Sequence, residues 1–171
     1  MFVILIVTRG VVLVTPWHRP VFTPYSLLAL AQFALVGWAE ELFFRGYCVT
    51  ALNSGRGTLA AALSALAFVL SHGLNTNISS LALANIFVAG LLFAYMFLGT
   101  GSIWMPVGYH ITWNYFQGPV FGLPVSGGPV VPGVYEAALK DNLLTGEPSD
   151  PREAWWSPPC YRWDSWRCGG I

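Results

Sequence analysis

The chain alternates long apolar stretches with short breaks rich in Gly, Asn, Ser and Pro. Thr58, and Ser79 with Ser80, lie where two of the stretches begin and predict helix N-caps. The pattern predicts an all-α fold, a polytopic transmembrane helical bundle of about four core helices plus a partial N-terminal one. The core helices are predicted at residues 25–52, 59–71, 81–98 and 103–117, followed by an ordered loop rich in Gly, Pro and Val at 118–133.

The two ends of the chain depart from this pattern. Residues 1–14 are apolar, but Arg9 and Gly10 interrupt them, and they are fewer than the roughly 20 residues that a membrane span needs. We interpret them as the remnant of an earlier helix. The core domain is therefore predicted at residues 1–145, truncated at its N-terminus, with an irregular tail at residues 146–171.

The composition of the tail changes abruptly to Pro, Arg and Trp, and half of the eight Trp lie after residue 154. Such a segment is typical of neither a membrane helix nor a soluble domain. One hypothesis is a frameshift, because a shifted frame reads Leu, Met or Val wherever the single Trp codon stands. The alternative is a disordered tail, and resequencing of the locus separates the two.

The composition places the protein in a membrane. Of the 171 residues, 55% are hydrophobic and only 9% are charged, whereas a soluble domain carries about 25% charged residues. We therefore expect an integral, multi-pass membrane protein with the lipid bilayer as its surroundings. The formal net charge is zero, so nothing in the charge favours a nucleic-acid partner. Three cysteines follow no metal-ligand spacing.

Charge is concentrated in one place within this apolar chain. Between Val21 and Tyr135 only four residues carry a formal charge, and three of them are Glu40, Glu41 and Arg45. A carboxylate in apolar surroundings costs several kcal/mol unless something compensates it. Two adjacent glutamates therefore predict a functional site.

Helical spacing separates the two glutamates. Glu41 and Arg45 are four residues apart and share a helix face, which predicts an ion pair. Glu40 is rotated by about 100° from Glu41, so we expect that the two carboxylates cannot face the same partner. Glu41 is accordingly predicted to support the site structurally, and Glu40 to point into a cavity.

Further polar residues lie on the other helices. His72 ends the second helix, with Phe68 one turn before it, and His110 shares a face with Asn114 on the fourth. A carboxylate, two imidazoles and a carboxamide suit attack on an amide by activated water, and two imidazoles can also hold a metal. The structural alternative is that the histidines only pack, and that Asn114 and Asn85 each tie two helices together.

Three motifs in this order resemble one family. They are EExxxR at residues 40–45, FxxxH at 68–72 and HxxxN at 110–114. Over residues 27–144 the chain is similar to the CPBP family of CAAX prenyl proteases and bacteriocin-processing enzymes, also called the Abi family. The resemblance implies a membrane-embedded endopeptidase, filed among metalloproteases, that acts on a peptide or protein substrate at the membrane. The glycine-rich loops of this chain favour a bacterial type, and therefore a protein of the bacterial plasma membrane.

The resemblance also implies a role for each motif residue. Glu40 would be the general base that activates water, and His72 and His110 would position that water or a metal. His110 and Asn114 would stabilise the oxyanion, while Glu41, Arg45 and Phe68 would support the site. Zn²⁺ is the expected metal, held by His72 and His110, and a metal-free, glutamate-dependent mechanism is the rival.

Two other functions are compatible with the same residues. The first is a catalytically idle membrane scaffold or immunity protein on the same fold, which the truncation favours. The second is a proton-coupled carrier that uses Glu40 and the histidines as a relay. The low number of helices and the lack of an inverted repeat argue against the carrier.

Overall fold

The computed structural model describes residues 11–75, 78–128 and 132–139. In this part of the chain, four long helices and two short strands occur, which confirms the predicted all-α bundle. The helices are α1 (Pro24–Leu52), α2 (Gly57–His72), α3 (Ser80–Thr100) and α4 (Trp104–Tyr115), and the strands are β1 (Val11–Leu13) and β2 (Ala137–Leu139). A π-helical turn at Phe116–Val120 continues α4, so the loop predicted from residue 118 begins later than expected.

Local chemistry explains most of the helix ends. The α1 helix has Pro24 in its first turn, where the missing amide proton costs nothing. The Ser79 hydroxyl caps α3 as predicted, because it accepts a hydrogen bond from the Ala82 amide at 3.0 Å. The α3 helix ends at Gly101, which adopts the left-handed conformation with φ of 62°.

The N-cap predicted at Thr58 is wrong. The α2 helix begins at Gly57, and Arg56 occupies the N-cap position without a capping hydrogen bond from its side chain. Thr58 therefore lies inside the first turn. The helix therefore begins two residues before the start at residue 59 that a cap at Thr58 predicts.

The α1 helix contains a change of helical type at the charged motif. It is α-helical over Pro24–Glu41, π-helical over Leu42–Val49 and α-helical again over Thr50–Leu52. The Ser64 hydroxyl on α2 donates a hydrogen bond of 2.7 Å to the carbonyl of Phe44 within the π-helical part. Because π-helical turns are frequent at functional sites, this segment directly after Glu41 favours a functional site there.

Close backbone approaches bring the helices together at two glycines. The α2 helix packs against α3, and α1 packs against α4. A Cβ atom added to Gly90 of α3 would lie 3.1 Å from both the Cα and Cβ of Ala65 on α2. A Cβ atom added to Gly37 of α1 would lie 2.8 Å from Cγ1 of Ile111 on α4. These contacts resemble the small-residue interfaces of membrane helices.

Among the residues that the structure describes, two helices are long and apolar enough to cross a bilayer, and α2 is a shorter apolar helix. The α1 helix has 29 residues with a mean hydropathy of 1.5, and α3 has 21 residues with a mean hydropathy of 2.2. Much of their surface faces outward, including the exposed side chains of Leu27, Leu28 and Val88. Apolar side chains exposed in this way suit contact with lipid rather than water.

The N-terminal remnant helix is not observed in residues 11–13. These residues form β1, which pairs with β2 in an antiparallel register that places Val11 opposite Leu139. Val11 and Val12 are β-branched, and such residues favour strands when a partner strand is available. Residues 1–10 and the tail from residue 140 onward lie outside the described residues, so the predicted domain division stays a prediction.

We predict that the contact at Gly90 limits the size of the side chain there. Gly90→Leu should lower the free energy of unfolding by about 1–3 kcal/mol, because the new side chain meets the backbone of Ala65. Gly99→Leu is the matched control on the same helix, since a Cβ atom at Gly99 has nothing within 4 Å. Unfolding of both variants in detergent measures the difference. Equal stability of the two variants would contradict the close approach.

Candidate functional site

The centre of the site is a buried carboxylate with two cationic or polar partners. One oxygen of Glu41, Oε1, accepts a hydrogen bond of 2.9 Å from Nη1 of Arg45 and one of 2.7 Å from Nδ1 of His110. Both Glu41 and Arg45 are fully buried, with side chains 0% exposed. The ion pair is the one that the four-residue spacing predicts, and His110 connects it to α4.

Arg45 lies in a pocket built by aromatic rings. Its guanidinium carbon is 4.5 Å from the ring centroid of Phe68, 5.0 Å from that of Phe93 and 5.9 Å from that of Phe44. Its Nη2 donates to the carbonyl of Gly90 at 3.1 Å. Aromatic faces and a backbone carbonyl together replace water around the cation, which makes its burial tolerable.

His110 contacts both glutamates, and the expectation that they cannot share a partner is wrong. Nδ1 of His110 faces Glu41, and its Nε2 lies 3.7 Å from Oε2 of Glu40. An imidazole has nitrogens on two edges, so carboxylates that point in different directions from one helix can reach the same ring. The side chain of Glu40 is 29% exposed, whereas that of Glu41 is buried.

The bond to Glu41 fixes the orientation of His110. A carboxylate accepts hydrogen bonds, so Nδ1 carries a proton and the Nε2 edge is turned toward Glu40. A separation of 3.7 Å is too long for a direct hydrogen bond, so the two atoms are not bonded to each other and both can bind a further polar group. The Phe93 ring stacks on the imidazole at 5.1 Å between centroids and holds its plane.

His72 joins the site through Phe68. Its Nδ1 donates to the carbonyl of Phe68 at 2.7 Å, which leaves Nε2 as the free edge. The Phe68 ring contacts both imidazoles, with centroid separations of 4.6 Å to His72 and 6.0 Å to His110. Across the described ranges, His72 forms an ion pair with neither glutamate.

A cavity of about 270 Å³ adjoins this network. Asn114 and His110 of α4 line it, together with Phe68 of α2 and Asn85 of α3. Asn114 is only 7% exposed, so its carboxamide is directed into the protein rather than toward lipid. The structure thus places Asn114 and His110 at one cavity, while Glu40 and His72 lie outside its walls.

Sequence reasoning did not identify three contributors to the site. Phe93 stacks on His110 and covers Arg45, Gly90 provides the carbonyl for Arg45, and Ser64 binds the π-helical backbone. Each resembles an ordinary residue of an apolar helix in the sequence. The one available signal was Gly90, because a glycine inside a membrane helix often marks a close approach of another helix.

The metal-binding side chains of the described residues do not form a metal site in this arrangement. Among the residues that the structure describes, no group of three His, Cys, Asp or Glu side chains could hold a metal ion. A catalytic zinc normally has three protein ligands. The two nitrogens of His110 already face two glutamates, and Nε2 of His72 has no acidic neighbour within ion-pair distance in the described segments. The zinc prediction stays a prediction.

Comparison with known proteins gives one match. A family model described as Rce1-like, type II CAAX prenyl endopeptidase, matches residues 22–116, which is more than half of the chain and includes all three motifs. Neither the curated proteins nor the solved structures contain a match to this chain.

We predict that Arg45 is required for stability because it compensates Glu41. Arg45→Met should cost about 3–5 kcal/mol, since it leaves a buried carboxylate without its cation. The double variant Glu41→Leu with Arg45→Met should recover most of this loss, because both charges are then absent. Arg56→Met, at an exposed position, is the control and should change stability by about 0.5 kcal/mol or less. A double variant as unstable as the single one would contradict the ion-pair assignment.

Proposed function

The chain belongs to the Rce1-like family of type II CAAX prenyl endopeptidases, and we propose that it hydrolyses a peptide bond with water activated by Glu40. The members of this family are membrane-embedded proteases. One observation carries the proposal: His110 lies between a buried glutamate that orients it and an accessible glutamate that is free to act on water. Asn114 lies beside the same imidazole, on the wall of a cavity.

The two glutamates have different proposed roles, one structural and one catalytic. Glu41 is buried and committed to Arg45 and His110, so it holds the site without meeting substrate. Glu40 is partly exposed and has its Oε2 near the free edge of His110. A water held between Glu40 and Nε2 is close to both a proton acceptor and an orienting group, which general-base catalysis requires.

The proposed chemical step uses Glu40, the water and Asn114. Glu40 takes a proton from the water, and the water oxygen bonds to the carbonyl carbon of the substrate peptide. The electron pair of the carbonyl moves to its oxygen, where the N–H groups of Asn114 donate hydrogen bonds. When the C–N bond breaks, the proton on Glu40 passes to the leaving nitrogen. Every atom of the water is then found in the two products.

His72 is a positioning residue in this scheme. Its Nδ1 is fixed by the carbonyl of Phe68, and Phe68 contacts both imidazoles. We propose that the free Nε2 of His72 helps to orient the water once substrate occupies the site. Hydrogen bonds of this kind often tighten only in the complex with substrate.

The substrate class follows from the family and the surroundings. We propose a peptide or protein that reaches the site at the membrane, of the CAAX-processing or bacteriocin-processing type. We further propose that the protein crosses a bacterial plasma membrane several times. An S-farnesylated CAAX peptide and a non-prenylated peptide library are the two substrate sets that distinguish these types.

We predict that Glu40→Gln abolishes cleavage without unfolding the protein. The amide cannot accept a proton from water, and loss of a general base costs about 10²–10⁴-fold in rate. Cleavage of the peptide sets by purified protein in nanodiscs measures this effect. The control is Glu136→Gln, an exposed glutamate next to β2, which should retain full activity.

Unchanged cleavage by Glu40→Gln would overturn the assignment of the general base. A folded wild-type protein that cleaves neither peptide set would instead favour the idle scaffold. Thermal unfolding of each variant separates loss of chemistry from loss of structure.

We also predict that chelation leaves the activity unchanged. The described side chains provide no group of three metal-binding residues, and the step above uses only Glu40, His110 and Asn114. Treatment with 1,10-phenanthroline and elemental analysis of the purified protein test this point. Stoichiometric zinc, with activity lost on chelation and restored by added zinc, would assign His72 and His110 to a metal instead.

A further inference from the structure

We propose that the cavity between α3 and α4 binds a peptide-bond unit of the substrate, and that Asn85 is the specificity-determining residue that recognises it. The inference rests on the proposed function for the identity of the ligand. Asn85 lies outside the three sequence motifs, and the family match assigns it no role.

The shape of the cavity comes from two facing helices. Its volume is about 270 Å³, near the lower end of the roughly 300–1,000 Å³ typical of ligand pockets. Phe93 of α3 and both Tyr109 and Trp113 of α4 form aromatic walls. The cavity is thus large enough for a short peptide segment with an apolar side chain.

Two carboxamides on the walls lack partners. Asn114 is only 7% exposed and Asn85 is partly buried, and both side chains line the cavity. Within the described parts of the chain, neither carboxamide has a hydrogen-bond partner. A polar group that lacks a partner in an apolar environment is costly, and buried polar groups in folded proteins are normally paired. In the described chain, the enclosed side-chain atoms without a partner are Glu41 Oε2 and Arg45 Nε, so the two carboxamides keep their polar atoms open to the cavity. A molecule that enters the cavity can therefore bond to both, and we infer that this molecule is a ligand.

The chemistry of the walls selects the ligand. A carboxamide donates and accepts hydrogen bonds, so its natural counterpart is a group that does both, such as a peptide amide. No Lys, Arg, Asp or Glu is among the lining residues in the described chain, which disfavours a charged ligand. Since Asn114 is proposed to bind the scissile carbonyl, Asn85 is left to bind the neighbouring peptide unit.

A neighbouring contact fixes the direction of Asn85. Ile86, the next residue, packs in a buried cluster with Phe44 and Phe68. Rotation of α3 is therefore set by the same aromatic residues that surround Arg45, and Asn85 faces the cavity as a result. The structural alternative, in which Asn85 and Asn114 tie α3 to α4, predicts a hydrogen bond that the described residues do not contain.

The test uses binding to the inert Glu40→Gln protein as well as cleavage by the active one. Asn85→Leu, in the Glu40→Gln background, should weaken binding of a fluorescein-labelled S-farnesyl CAAX peptide about tenfold, the loss of one hydrogen bond to an enclosed partner. In the active protein it should raise KM with a smaller effect on kcat. Ala84→Leu is the matched control, because Ala84 is exposed on the same helix and absent from the cavity wall.

A backbone-modified peptide identifies the contact. N-methylation of the amide next to the scissile bond should weaken binding to the protein with Asn85 and have little further effect on Asn85→Leu. Thermal unfolding separates this role from a structural one. If Asn85 joined two helices, Asn85→Leu would lower the unfolding temperature. Asn85→Leu should unfold at the same or a higher temperature, because it removes an unpaired polar group from apolar surroundings.

The outcomes separate this inference from the proposed function. Unchanged binding by Asn85→Leu, a clear loss of thermal stability, or no binding of the peptide to any variant would overturn the role of Asn85. Asn85-dependent binding without cleavage by the active protein would overturn the peptidase and leave the binding site in place. Cleavage that depends on Glu40 but not on Asn85 would support the peptidase and overturn the role of Asn85.

Discussion

The structure depends on compensation of one charge, the carboxylate of Glu41, within a bundle of apolar helices. Its Oε1 accepts from Arg45 on the same helix and from His110 on α4. Arg45 in turn donates to the carbonyl of Gly90 on α3. A single buried carboxylate thus fixes the relative rotation of three helices, since a shift in any of them would leave a charge without its partner.

This network explains the small residues and the aromatic rings around it. The guanidinium reaches the Gly90 carbonyl where α2 and α3 approach closely, and that approach needs a residue without a side chain. Phe68 serves several neighbours at once, because its ring contacts Arg45, His72 and His110. The same packing around Phe68 therefore surrounds the cation and positions the two imidazoles.

Much of the architecture could be predicted from the sequence because its signals are local. Apolar stretches of helical length gave the helices, and the spacing of Glu41 and Arg45 gave the ion pair that the structure contains. The error about Glu40 arose because helical spacing describes one helix and not the shape of the partner. An imidazole from α4 has two edges, and only the tertiary arrangement brings both within reach.

Other features could not be predicted because they depend on contacts between distant residues. The stacking of Phe93 on His110 and the pairing of β1 with β2 join residues far apart in the sequence. The prediction of an N-cap at Thr58 was wrong for a different reason. The helix begins before Thr58, at Gly57, so this threonine does not occupy the cap position.

The π-helical segment that follows Glu41 has a consequence for the phase of α1. Each residue in a turn closed by i→i+5 hydrogen bonds advances by a smaller angle than in an α-helix. Over the eight residues Leu42–Val49 this difference accumulates, so Val49 reaches the buried cluster with Ala60, Ala61 and Ala94 in an orientation that a helical wheel drawn from Pro24 does not give. Seven residues of an ordinary α-helix turn through about the same angle as these eight π-helical ones, so the segment holds one residue more than an α-helix would need to present Val49 to this cluster.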